Sequence, residues 1–95
     1  MQEHRLVVQR TARYFTLDPA GEPDEVWFVL HGYGQLAQYF VRHFQPIQNG
    51  RRLIVAPEAL SRYYLPGHER AGASWMTRED RLAEIDDYLA YLNTL

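Results

Sequence analysis

The chain opens with alternation and then changes period. Over residues 5–17 (RLVVQRTARYFTL), Leu6, Val8, Ala12 and Tyr14 alternate with Val7, Gln9, Thr11, Arg13 and Phe15. That pattern predicts a half-buried strand or a bent pair of strands. Asp18 to Asp24 holds two prolines and a glycine and reads as a turn. Residues 25–31 (EVWFVLH) then run apolar without alternation, as a strand does when both its faces are covered in a parallel sheet. Leu36, Phe40, Phe44 and Ile47 recur at helical spacing and predict a helix over about 35–45, ended near Pro46, which has no N–H to donate. Gln48-Asn49-Gly50 is the next turn. Residues 52–56 (RLIVA) form a second short apolar strand closed by Pro57. Strand, helix and strand in this order make a βαβ unit, whose crossover is right-handed.

Residues 57–76 show no period, and a loop of that length in a small domain implies a role. It carries Tyr63, Tyr64, Leu65 and Trp75 and leaves the sheet on the edge where α/β sheets bind ligands. A last helix is expected over about 78–93. Thr77 stands as its N-cap, Glu79 and Asp80 sit at the positive end of its dipole, and Leu82, Ile85, Leu89 and Leu92 form its apolar stripe. Glu84, Asp86 and Asp87 belong to its wet face. The expected fold class is therefore α/β: one domain over residues 1–95, with a small, mainly parallel sheet, a β-rich N-terminus and two flanking helices.

Composition narrows the classes. Ninety-five residues allow one small domain, and a chain of this size buries roughly 60–65% of its unfolded surface. With 46% hydrophobic and 14% aromatic residues, the chain is expected to fold rather than remain disordered. The net charge is −2, and all ten basic residues are arginines, scattered among acids. No basic stripe exists for a nucleic-acid backbone, so no nucleic-acid partner is expected. Arg51-Arg52 fits a solvated turn. The absence of cysteine removes disulfides and thiolate metal sites. Neither a signal peptide nor an 18-residue apolar run is present, so the sequence predicts a cytoplasmic protein without a membrane partner.

Chemistry concentrates in Val26-Trp27-Phe28-Val29-Leu30-His31-Gly32-Tyr33-Gly34-Gln35. Glycines at the end of a strand let backbone N–H groups come close to a ligand. Together with RLIVAPEAL, the aromatic loop, Gly72-Ala73-Ser74-Trp75-Met76-Thr77 and the acidic helix, this order resembles the N-terminal half of α/β-hydrolase-fold serine esterases. The likeness is to their phospholipase, carboxylesterase and acyl-thioesterase group, and it runs from about Thr11 to Leu92. The resemblance implies a truncated α/β-hydrolase domain in which the backbone N–H of Tyr33 is one half of an oxyanion hole. His31 and Gly32 would hold the turn and Gly34 would let the chain swing into the helix. It also implies that Tyr63, Tyr64 and Trp75 are pocket candidates for a small ester or thioester. Each preorganised amide aimed at a developing oxyanion contributes about 3–4 kcal/mol, in a reaction that passes through an acyl-enzyme.

The family's nucleophile lies in a G-x-S-x-G elbow, followed by an acid and a histidine. Here Ser61 has no glycine near it. Ser74 matches the first three elbow positions, but Met76 takes the place of the last glycine and no strand-like run precedes it. The last histidine is His68, so no base follows Ser74. The expectation is an oxyanion loop without nucleophile, acid or base, inactive by itself.

Two rival readings remain. Gly32-Tyr33-Gly34-Gln35-Leu36-Ala37 also fits G-x-G-x-x-A after a strand, with Glu58 where an acid would hold a ribose hydroxyl. Against this dinucleotide site stand the β-rich stretch that comes first, Pro57 before the acid, and alanine at the third position. The other rival is a non-catalytic interaction module, or a half-subunit completed by another chain. The strand at 25–31 would have an open apolar edge, so the chain would self-associate or need a missing C-terminal half. His4, His31, His43 and His68 lack ligand spacing, so neither a metal nor a cofactor is expected.

Overall fold

The structure is a computed structural model that describes residues 1–95. Its elements are β1 (Tyr14–Leu17), β2 (Glu25–Phe28), α1 (Ala37–Phe40) continued by a 3-10 segment (Val41–Ile47), β3 (Arg52–Pro57), β4 (Ser61–Tyr64), β5 (Ala71–Ser74) and α2 (Arg81–Thr94). Strands β1, β3 and β2 form a three-stranded sheet in that order, and β4 with β5 forms a separate two-stranded one. Trp27 pairs with Ile54 in the parallel β2–β3 ladder, while Thr16 faces Val55 in the antiparallel β1–β3 ladder.

This corrects the expected fold class. The first sheet is mixed and the second antiparallel, so the molecule is not a mainly parallel α/β sheet. Only the β2–α1–β3 passage gives parallel strands. The other pairings are antiparallel, and one of them lies inside the stretch 57–76 that shows no period. Tyr63 pairs there with Gly72 across a turn at 65–70. The strand Ala-Gly-Ala-Ser has no branched or aromatic residue to announce it.

Other boundaries shift for local reasons. Of the alternating 5–17 stretch, only Tyr14–Leu17 finds a partner edge; residues 1–13 belong to no strand, and Leu6, Val7 and Val8 are exposed. The expected helix over 35–45 is one α-turn that tightens into the 3-10 segment with Pro46 inside it. Proline removes an N–H and disfavours α geometry at Gln45 before it. Helix α2 starts at Arg81, not 78. Thr77 is not its N-cap: its N–H and hydroxyl both donate to Glu84 Oε1, at 2.9 and 2.8 Å. The helix buries Tyr88, while Leu82 and Leu89 of its expected stripe are exposed.

Strand β2 is not buried. All four of its residues are exposed, because it is the last strand on its side of the sheet; the covered strand is β3, whose Ile54, Val55, Ala56 and Pro57 are buried. The core is small: Val29, Ala37, Val41, Ile54 and Ala56, with Phe15, Leu17, Phe40 and Phe44 packed around them. The consequence is an open molecule. Its surface is 7497 Å², against about 5,700 Å² for a compact monomer of this mass. Its radius of gyration is 15.7 Å, against about 12 Å for a compact chain of this length. No helix is long and apolar enough to cross a membrane.

Candidate functional site

The His31–Gly34 turn follows β2 and is fixed from several sides. His31 is 2% exposed. The Ala59 N–H donates to its Nε2 at 3.0 Å, so that nitrogen carries a lone pair and the proton resides on Nδ1. Nδ1–H then donates to Gly32 O at 2.8 Å. The ring stacks on Trp75, with centroids 5.2 Å apart, and the Trp75 indole N–H donates to His31 O at 2.9 Å. Both ring nitrogens are therefore committed to the backbone, and His31 is a positioning residue rather than a base.

Gln35 closes the turn. The Gly32 N–H donates to its Oε1 at 2.6 Å, and the Gln35 N–H returns to Gly32 O at 3.2 Å. Gly34, at φ +77°, holds a left-handed conformation that favours glycine. Its N–H donates to Ala73 O at 2.9 Å, and the Ala73 N–H donates to Gln35 O at 3.1 Å. The turn is thus stitched to β5. Contact there is so close that a Cβ on Gly72 would lie 2.5 Å from Gly34 O. The N–H groups of Gly32, Gly34 and Gln35 are all used. That of Tyr33 has no acceptor in the protein, and the Tyr33 residue is 75% exposed.

The aromatic pocket candidates do not converge. Tyr63 lies beside Tyr33, with ring centroids 5.5 Å apart. Its hydroxyl is buried without a hydrogen bond of normal geometry. The neighbouring Tyr33 phenol, and then burial, push it up to about 12. Trp75 stands behind His31 and meets Tyr88 edge-on at 5.2 Å. The Tyr88 hydroxyl is also buried and unpartnered; burial, then the Glu84 charge, push it up to about 12. Tyr64 is exposed and tilts against His68. A groove of about 640 Å³ does begin at Gly34, but Leu36, Tyr39, Phe40, Leu65 and Arg70 line it, and Tyr63, Tyr64 and Trp75 do not. The apolar stripe of the first helix points to Leu36 and Phe40, and the aperiodic loop to Leu65; nothing in the sequence points to Tyr39 or Arg70.

Neither serine is activated. Ser74 is buried at the end of β5, so a strand does precede it, contrary to expectation; its Oγ donates to Met76 O at 2.9 Å. Ser61 is exposed at the start of β4, and His68 occupies the hairpin turn at φ +60°. No three His, Asp or Glu side chains are grouped to hold a metal ion.

Glu58 is the buried charge of the molecule, 1% exposed. Its Oε2 accepts from Arg13 Nε at 2.5 Å and Arg62 Nη1 at 2.9 Å; Oε1 accepts from Arg13 Nη2 at 3.2 Å and the Ala37 N–H at 3.1 Å. Burial raises its carboxyl, but these donors outweigh burial and hold it below the usual range. A ribose hydroxyl would have to displace them, and the first N–H of α1, which a pyrophosphate would need, already belongs to Glu58. Tyr91 extends this network by donating its hydroxyl to Arg13 O at 3.1 Å. No protein-family profile matches the chain, and no curated protein matches it.

Proposed function

We propose that the His31–Gly34 turn is the oxyanion-binding half of a serine carboxylic-ester hydrolase, and that other polypeptide contributes the nucleophile, acid and base. The substrate is a small ester or thioester. Attack on its carbonyl places negative charge on the oxygen, which the Tyr33 N–H receives. His31, Gly32 and Gly34 hold that amide still, so no reorganisation accompanies charge development. The groove that begins at Gly34, lined by Leu36, Tyr39, Phe40 and Leu65, is the hollow nearest the turn for the acyl or alcohol part of the substrate. We propose a cytoplasmic location, the one the sequence analysis expects.

One observation carries this reading: an exposed, unpaired Tyr33 amide held between the bound amides of Gly32 and Gly34. The test is a ¹⁵N-resolved titration with butyrate, a carboxylate that stands in for the oxyanion. The Tyr33 amide should move downfield and saturate while the Gly34 amide stays in place. The chain alone should hydrolyse p-nitrophenyl butyrate no faster than buffer. An unresponsive Tyr33 amide, or fluorophosphonate labelling of Ser74, would defeat the proposal. A second reading, a non-catalytic interaction module, is favoured by the large apolar surface left open beside β2.

A further inference from the structure

The groove that begins at Gly34 runs between two walls of different origin. One is the first helical segment, where Leu36, Tyr39, Phe40 and His43 recur at helical spacing. The other is the β4–β5 hairpin turn, closed by the Leu65 N–H donating to Arg70 O at 2.8 Å. Leu65 also reaches the corner: a Cβ on Gly34 would lie 3.7 Å from its Cδ2. The volume of about 640 Å³ lies within the roughly 300–1,000 Å³ of small-molecule sites.

Charge in this groove is unbalanced. The ion pairs of the molecule engage Arg5, Arg13, Arg51, Arg52 and Arg62. Arg70 belongs to none of them, yet it lines the groove. Arg42, likewise unpaired, lies over the Tyr39 ring at 5.3 Å. Glu69 is the one acid of the lining, so cations prevail there although the chain carries a net charge of −2. Strand alternation places Arg70 on the same hairpin face as Gly72, the residue that abuts Gly34 O, and roughly 7 Å further along. A fitting occupant has a short apolar body, one end at the His31–Gly34 corner and an anion at the other.

We infer that the groove receives an acyl chain ending in a carboxylate, held by the Arg70 guanidinium, so that the substrate is a half-ester or half-thioester of a short dicarboxylic acid. The substrate class rests on the oxyanion reading above; the anion site does not. A guanidinium offers a carboxylate a planar fork of donors, and Leu36, Phe40 and Leu65 cover the methylenes between the two ends.

A ¹⁵N-resolved titration of the chain, following the Arg70 Nε–H and the Leu36 and Leu65 amides, reads the binding. The monomethyl esters of glutaric, adipic and suberic acid bracket the span, and methyl hexanoate is the uncharged comparison. The best half-ester should bind at least about tenfold more tightly than methyl hexanoate, the worth of a hydrogen bond between charged groups. R70Q, which breaks no ion pair, should remove that advantage. R78Q, at an equally unpaired arginine that lines a separate hollow, should keep it. Equal binding of charged and uncharged esters overturns the inference, as does an advantage that survives R70Q or falls equally in R78Q. The butyrate response of the Tyr33 amide is scored separately. If it persists where the advantage is absent, the substrate assignment fails and the oxyanion reading stands. If the advantage is present beside a silent Tyr33 amide, the anion site stands and the oxyanion reading fails.

Discussion

Replacing Glu58 by glutamine keeps the shape of the side chain and removes the charge that two arginines converge on. Glu58 is almost fully buried, whereas the Arg13 and Arg62 side chains are 43% and 44% exposed. Breaking a buried ion pair costs about 3–5 kcal/mol when the surviving charge stays buried. Here both guanidinium groups can turn to water, and the amide oxygen can still accept from the Ala37 N–H. The cost of E58Q therefore belongs at the low end, about 3 kcal/mol. That is a large share of the stability of a small domain. Urea unfolding followed by circular dichroism at pH 7 measures it.

The pH dependence makes the argument stricter. The folded carboxyl ionises below its unfolded value of 4.5. Its contribution is fully present above that value and drains away as pH falls through the folded one. The gap between the unaltered chain and E58Q should thus be widest near pH 7 and close under strong acid. A gap below about 0.5 kcal/mol at pH 7, the scatter of ordinary surface changes, or one that widens on acidification, would refute the reasoning.

Three further outcomes follow from the geometry. G72A drives a methyl into the Gly34 carbonyl, 2.5 Å away; overpacking of this kind costs about 3 kcal/mol, and thermal unfolding should show it with the Tyr33 amide resonance displaced. W75A removes the His31 stack, the bond to His31 O and the Tyr88 contact, so urea unfolding should register a loss of about 3 kcal/mol. Tyr63 and Tyr88, both pushed up to about 12 from 10.0, should stay un-ionised at pH 11 while exposed tyrosines titrate at 295 nm. Stability should accordingly fall as pH rises from 10 toward 12, because the unfolded phenols release protons first.

Sequence reasoning reached parts of this structure and missed others for identifiable reasons. Strand β3 was legible because Arg-Leu-Ile-Val-Ala is a continuous apolar run stopped by a proline. The run at β2 looks the same in one dimension, yet it is an exposed edge. An apolar run records what a strand needs covered, not whether this chain covers it. The β4–β5 hairpin escaped notice because β5 is made of the small residues that let Gly34 approach it. Glu58 read as a candidate ribose ligand because an acid after a strand is all that local sequence shows. Its partner Arg13 lies 45 positions earlier. The corner at His31–Gly34 was visible in its glycines, while the lock on it, through Ala59, Ala73 and Trp75, comes from contacts that no local motif encodes.

Amide hydrogen exchange across residues 31–35 and 73 tests the central claim most directly. The Gly34, Gln35 and Ala73 amides, all bonded within the turn and to β5, should be protected together, and the Tyr33 amide should exchange at nearly the rate of an unstructured peptide. Protection of Tyr33 equal to that of its neighbours, or free exchange of all of them, would mean that no held and unpaired amide exists at this corner.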